Sequence, residues 1–327
     1  MMIDSTCKLT KKSLPRQGFP AESHTLRALF RVFRDFIREK GQIDLAFRSF
    51  NRTFVPTYSY SVKIKEIISA LEQFAPLPLQ ESYDNAGLQV GLTAVEEASG
   101  ALLCLDVTEE VIHEAVDLGC NLVVSHHPLL FRPLRQLTDR TQVERCVRLA
   151  VEHGITIYAA HTNLDNAEDG VNYRIAERLG LVDVQLMQPK SVRVEDRMVT
   201  AGSGVIGYLP VPEDSLAFLQ RIKDVFRVEC LQHNELLQRP IQAVALCGGS
   251  GAFLLDEALR LEADAFVTGE MDYHRFFGHE QEIQLAVMGH YQSEQYTKEL
   301  LMQIIADVNP ELPLFMTSVD TNPIKYL

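Results

Sequence analysis

Three short segments of this 327-residue chain hold the side chains best suited to chemistry. Leu122-Val123-Val124-Ser125 is an apolar run that ends in His126-His127-Pro128. Successive side chains of a strand point to opposite faces, so both imidazoles reach one site only if the chain turns there, and Pro128 favours such a turn. The run Ile157-Tyr158-Ala159-Ala160 delivers His161, with Asp165 four residues on, and Ala286-Val287-Met288-Gly289 delivers His290, with Glu294 four residues on. One helical turn brings positions i and i+4 onto a common face. Alone, the histidine pair leaves a surface pair as the lesser alternative, and each His/acid spacing can arise by chance or as capping. Together they put imidazoles and carboxylates at the ends of three apolar strands. That chemistry suits zinc, iron, manganese or nickel, and a set without thiolates argues against a structural zinc knuckle. His161 reads either as an orienting hydrogen-bond partner, the favoured reading, or as a ligand itself. Five ligands are too many for one centre with room for water and substrate. Two divalent ions about 3.5–4 Å apart, sharing a carboxylate and a hydroxide, would use all five and supply a nucleophile at neutral pH.

The frame that must position these groups is visible as alternation. Ile64, Ile67, Ile68, Leu71 and Phe74 mark one face of a helix that Pro76 and Pro78 end. A turn at Asp84-Asn85-Ala86-Gly87 leads into a short strand. Strands at 101–105, 122–124 and 155–160 then alternate with helices at 109–118, 142–152 and 171–179. Residues 243–247, 265–267 and 285–288 read as strands, with helices at 253–261 and 293–305. Parallel neighbours need long crossovers, so the fold class is α/β with mixed or parallel sheets flanked by helices. The segments "EAVDLGCNLVVSHH" and "EALRLEADAFVTGE" pair at an offset of about 143 residues. This predicts two related α/β halves whose strand tips converge on one cleft. The domain reading is a leader at 1–62, a first half at 63–181, a short connector at 182–240 containing a strand at 204–209 and a helix at 214–226, and a second half at 241–327.

Composition bounds the function. With 46% apolar and 23% charged residues the chain matches soluble globular usage, and no apolar run approaches a membrane span of about 18 residues. Residues 1–62 carry a net +6, which leaves −19 on the rest of a chain whose total is −13. An acidic body repels a phosphate backbone, so duplex nucleic acid is disfavoured as a partner. Cys7, Cys104, Cys120, Cys146, Cys230 and Cys247 show no C-x-x-C spacing and read as reduced thiols of a cytoplasmic protein.

The ordered motifs "YDNAGLQVG", "CLDVT", "SHHPLLF", "AHTNLD", "CGGSGAFLLDEALRLEADAFVTGEMDYH" and "GHYQSE" resemble the Nif-three-like family, commonly named GTP cyclohydrolase I type 2 homologues, over residues 63 to 327. The resemblance implies a two-domain α/β fold with related halves, a dinuclear metal centre in the cleft and a hexameric ring of identical subunits. It carries the metal ligands onto His126, His127, Asp165, His290 and Glu294, with Glu294 as the bridge, the same five that the strand ends supply. Longer members insert a small domain where this chain has only 182–240. Gly269-Glu270 stands where many relatives have Gly-Asp.

Catalytic roles fall to Glu294, His161 and Glu270, while Asp106 and His274 are candidates for supporting or merely solvated positions. Asp84 and Asn85 either line the cleft or make a plain turn. The amides of Cys247-Gly248-Gly249-Ser250-Gly251 could hold a phosphate, although a tight turn is the simpler reading. His113, His153, His233 and His279 fall outside the strand-tip set. Two functions survive. One is a metal-dependent hydrolase acting on a small molecule, with a nucleotide among the candidates, for which the GTP ring-opening of the family name would mean attack at C8 of guanine. The other is a non-catalytic metal-binding or scaffold protein in metal trafficking or regulation. Leu26, Leu29, Phe30, Phe33 and Ile37, interleaved with arginines, predict a basic amphipathic helix, as in a presequence, a membrane-surface helix or a docking arm. The simpler expectation is a poorly ordered leader. A chain beginning at Val62 is then expected to fold and keep its activity, and failure to fold in a circular-dichroism melt would overturn that.

Overall fold

Ile64, Ile67 and Leu71 form the buried stripe of helix α1 (Ile64–Phe74). The structure, a computed structural model, describes residues 62–91 and 96–327. The basic helix expected around residues 26–37 lies outside the described residues. After α1 come β1 (Gly87–Val90), β2 (Ala101–Cys104), α2 (Glu109–Asp117), β3 (Leu122–Ser125), α3 (Gln142–Glu152) and β4 (Thr156–Ala159), then a single helical turn α4 (Thr162–Asp165) and α5 (Val171–Leu179). The long hairpin β5 (Val182–Val194) and β6 (Arg197–Glu213) leads through α6 (Ser215–Phe226) and β7 (Gln232–His233) to β8 (Ile241–Cys247). The chain ends with α7 (Leu255–Arg260), β9 (Ala265–Thr268), β10 (Gln284–Val287), α8 (His290–Glu294), α9 (Thr297–Val308) and β11 (Leu314–Met316). Side-chain oxygens of Thr108, Thr141 and Asp214 accept from the first-turn amides of α2, α3 and α6, the local signal that starts each helix.

Two sheets result, with strand orders β1-β4-β3-β2-β11 and β5-β6-β8-β9-β10-β7. Each contains a parallel triplet, β2-β3-β4 and β8-β9-β10, in the same spatial order. Each triplet carries an antiparallel strand on its last member, β1 on β4 and β7 on β10. Residues 182–240 join the triplets and are built into the second sheet, where β6 pairs antiparallel with β8. The helix expected at 293–305 is observed as two, α8 and α9, and the one expected at 253–261 opens with a 3-10 turn at Gly251–Leu254 before α7.

Period-2 alternation sorts the core into layers. Ala101, Leu103, Leu122, Val124 and Tyr158 face a central layer that also holds α1, α5, α6 and α9 and one face of the second sheet through Val244, Leu246, Val267 and Ala286. Leu102, Cys104, Val123 and Ile157 face the other way, onto α2 and α3. Ala245, Phe266 and Leu285 face α7. Strands covered on both sides read as continuous apolar runs, and every residue of β2, β3, β4, β9 and β10 is buried. Replacing fully buried Leu103 by Ala is expected to cost about 2–5 kcal/mol, against less than about 0.5 kcal/mol for exposed Leu216→Ala. Chemical denaturation of both variants checks this, and equal losses would overturn the layer assignment.

Candidate metal centre

The backbone ladder of β3 runs on past Ser125, with His126 N–H donating to Cys104 O at 3.2 Å and His127 N–H to Leu105 O at 2.9 Å. Ser125 Oγ donates to the His127 carbonyl at 2.8 Å, and the chain bends at both histidines. Strand alternation therefore fails here, as the sequence requires, and the two rings stand 4.9 Å apart on the same side. His161 and His290 follow β4 and β10 at the corresponding place, each opening a short helical turn that carries its carboxylate.

Four imidazoles share one arrangement. His126 Nδ1 donates to the Ala160 carbonyl at 2.8 Å, His127 Nδ1 to Asp106 at 2.7 Å, His161 Nδ1 to Asp84 at 2.7 Å and His290 Nδ1 to Glu270 at 3.0 Å. Each carboxylate acceptor is itself placed: Asp84 by Thr162 N–H at 3.1 Å, Asp106 by the Thr321 hydroxyl at 3.0 Å and Glu270 by the Ser250 hydroxyl. With Nδ1 occupied, Nε2 is the atom left for a ligand. Outer partners of this kind typically carry 10–100-fold in metal affinity.

The Nε2 atoms converge. Glu294 Oε2 lies 3.0 Å from Nε2 of both His127 and His290, which are 3.2 Å from each other. On the other side, His126 Nε2 is 3.6 Å from Asp165 Oδ1 and 3.8 Å from Glu294 Oε2. His126 is fully buried and its Nε2 has no hydrogen-bond partner, an arrangement that costs free energy unless something binds there. Donors about 2.0–2.2 Å from one ion stand roughly 3.0–3.5 Å apart, so both triads, His126/Asp165/Glu294 and His127/His290/Glu294, have spacing suited to a divalent cation. His126, His127 and His161 form a third group of converging donors. Backbone without side chains makes room for the shared carboxylate. Gly249 sits at φ +56°, and a Cβ there would lie 2.3 Å from Glu294 Oε1.

Electrostatics follow the same pattern. Burial alone would raise the Glu294 carboxyl, but His126, His127 and His290 hold it well below the usual carboxylate range. Burial, and then the Glu294 charge, push Asp165 above that range. Burial works against protonating His127, yet hydrogen bonds to Asp106 and Glu294 outweigh it and carry that imidazole up to about 10. Glu294 likewise carries His290 up to about 9 against its own burial. Asp84, in spite of burial, falls to about 2 under hydrogen bonds from His161 and Thr162. Burial, then Asp165 and Glu294, drive the Cys247 thiol upward, which makes it a neutral wall rather than a nucleophile.

The centre floors a cleft of about 530 Å³. His127, Asp165, His290, Glu294, His161, Glu270 and Asp106 all line this cleft, and fully buried His126 lies beneath its floor. His274 does not: it lies exposed on a 3-10 turn, its ring against Tyr273 and Phe277. Asp84 binds His161, whereas Asn85 Nδ2 donates to the Leu130 carbonyl and braces the rim. His113 and His153 pack edge to face, away from the cleft. Sequence reasoning missed the C-terminal tail, where Thr321 holds Asp106 and Asn322, Pro323 and Ile324 line the cleft. Nothing in that polar stretch signals this role; it follows from β11 pairing with β2. Among the described residues Cys104, Cys120, Cys146, Cys230 and Cys247 are free, and all but Cys230 are buried. No helix among the described residues is long and apolar enough to cross a membrane.

A family model described as Duf34/NIF3 (NGG1p interacting factor 3) matches residues 62–323. A Clostridium perfringens protein named GTP cyclohydrolase 1 type 2 homolog is 35% identical over 235 residues, spanning 71% of this chain and 87% of its own. The Drosophila melanogaster NIF3-like protein 1 is 28% identical over 269 residues, 80% of this chain and 88% of its own. Among solved structures, a Staphylococcus aureus hypothetical protein matches with a TM-score of 0.74 at 24% identity, over 82% of this chain and all of its own. A Bacillus cereus protein related to NIF3 matches with a TM-score of 0.73 at 23% identity over the same shares. These two likenesses speak to the fold alone.

The raised imidazoles generate a pH prediction. In the metal-free protein His127 and His290 hold protons through neutral pH, and a cation must displace them to use Nε2. Metal uptake at pH 7 is expected to release protons, roughly one from each imidazole, and affinity is expected to rise with pH until both pKa values are passed. Titrating zinc into weakly buffered protein reads both. Uptake with no acid release, at an affinity unchanged between pH 6 and 8, would sink the ligand assignment.

Proposed function

The chain belongs to the Duf34/NIF3 family, and on that premise we propose that it is a metal-dependent hydrolase of a small molecule that holds two divalent ions in its cleft and works in the cytoplasm. The observation that carries this reading is the shared Glu294, within reach of two separate donor triads, beside a buried His126 Nε2 that nothing in the protein satisfies. His126 and Asp165 would complete one ion's set, and His127 and His290 the other's. Zinc, iron, manganese and nickel all suit such donors. Ions held there would supply a nucleophile from water at neutral pH and would stabilise developing negative charge on the substrate.

The chain's own residues supply the rest. Asp84 fixes His161 in the tautomer whose Nε2 is bare, so that atom can take a proton from the attacking water or, once charged, return it to a leaving group. Glu270 and Asp106 hold the His290 and His127 rings in register. The GTP cyclohydrolase name carried by relatives such as the Clostridium perfringens protein adds a reaction type, hydrolytic opening of a ring at carbon. Buried Cys247 offers no competing thiolate.

Elemental analysis of untagged protein, purified without chelator, tests the reading. The wild type is expected to carry about two metal equivalents per chain, and Glu294→Ala well below one, with cooperative unfolding preserved. His161→Ala is expected to keep its metal and lose about 10²–10⁴-fold in rate on whichever ring amide or phosphoester the loaded enzyme turns over. Near-zero metal in the wild type would remove the mechanism. Full metal with no turnover on either substrate class would turn the assignment to a non-catalytic metal protein.

A further inference from the structure

The metal donors account for the floor of the cleft but not for its walls. Tyr83, Phe131 and Phe253 come from three separate segments, yet all line this cleft with 66%, 44% and 55% of their surface exposed. Single exposed aromatics need no explanation. Three around one polar floor are a grouping that does. The Tyr83 and Phe131 rings meet edge to face at 6.5 Å, and Phe131 stands 6.2 Å from the ring of His161, so the aromatic wall reaches down to the centre.

The charge of the cleft points the same way. Its described lining includes the carboxylates of Glu81, Asp106, Asp165, Glu270 and Glu294, and no lysine or arginine. Lys190, just outside, is taken by Glu81 at 2.8 Å. Two divalent ions together with Lys190 would only match these five carboxylates, so no net positive charge is left over for a polyphosphate. The glycine-rich loop does not make up the deficit. Gly248 N–H donates to Asn172 Oδ1 at 2.9 Å, Gly249 N–H to Ser293 Oγ at 3.0 Å and Gly251 N–H to Thr268 Oγ1 at 3.1 Å. Amides committed inside the protein cannot cradle a phosphate as a helix or loop N-terminus does.

We propose that the cleft binds an uncharged planar heteroaromatic of nucleobase or nucleoside size, stacked on the Tyr83–Phe131 wall above the metal floor, and discriminates against its phosphorylated form. That this ligand is a substrate rests on the hydrolase reading; that it binds does not. Base–aromatic stacking is tolerant of base identity, so specificity for one heterocycle falls to polar atoms left free near the floor, such as the bare Nε2 of His161.

Equilibrium dialysis of the full chain, loaded with zinc, compares guanosine with GTP at fixed ionic strength. Guanosine is expected to bind at least about tenfold more tightly than GTP. Phe131→Ala and Tyr83→Ala are each expected to weaken guanosine at least about fivefold while leaving metal content unchanged. GTP binding as tightly as guanosine, or rim variants with wild-type affinity, would overturn the inference. Turnover measured on the same preparations separates the two proposals. Guanosine bound through the rim but never hydrolysed leaves this inference standing and counts against the hydrolase. Turnover by rim variants of undiminished affinity does the reverse.

Discussion

Four hydrogen bonds, one at each Nδ1, are the constraint on which the rest of the centre depends. An imidazole offers a metal only the nitrogen that its other nitrogen's partner leaves bare. The Ala160 carbonyl, Asp84, Asp106 and Glu270 each occupy an Nδ1, and four Nε2 atoms face inward. The partners come from the connection before β1, the end of β2, the end of β4 and the end of β9. The histidines come from the ends of β3, β4 and β10. Only two parallel triplets whose carboxyl ends meet deliver both sets to one place.

That requirement explains features that would otherwise look incidental. Glu294 can be nearly buried only because three imidazoles surround it and Gly249 supplies wall without bulk. Pairing of β11 with β2 brings the chain's end back across the first sheet, so Thr321 can hold Asp106. The order of effects is packing first, then hydrogen-bond direction, then charge. The strands are fixed by apolar burial on both faces. The acid–imidazole groups at their tips crowd negative charge at one place, which protons on the imidazoles offset in the metal-free protein and a cation would offset in the loaded one.

Much of this was legible in the residues. The runs ending in His126-His127, His161 and His290 are continuous because their strands are covered on both faces, and the i,i+4 acids fell on real helical turns. The repeat between the halves appears as two triplets of equal order. What could not be read depends on contacts distant in sequence. Asp84 lies 77 residues from His161, and only the folded chain shows that it fixes the tautomer rather than making a plain turn. The tail at 317–327 carries no periodicity of its own. Residues 182–240 looked like a mere connector because the long hairpin β5–β6 is half-exposed and its alternation weak. The glycine-rich segment illustrates the converse: its spacing allowed a phosphate loop, and hydrogen bonds to Asn172, Ser293 and Thr268 turn the three glycine amides into the protein.

The repeat also exposes an asymmetry that the two halves do not share by descent. Asp165 and Glu294 occupy equivalent positions, four residues after a strand-end histidine, but one is an aspartate and the other a glutamate. The extra methylene lets Glu294 reach His127 and His290 at 3.0 Å while keeping His126 at 3.8 Å. The shorter Asp165 approaches His126 alone, at 3.6 Å, and retains about a quarter of its side-chain exposure. Glu294 therefore collects the imidazole stabilisation and stays ionised, and its charge is what pushes Asp165 the other way. A symmetric pair of carboxylates at this separation would compete for the same protons. Unequal side-chain length thus separates the two: one carboxylate held ionised by three imidazoles at the centre, the other at the edge facing the cleft.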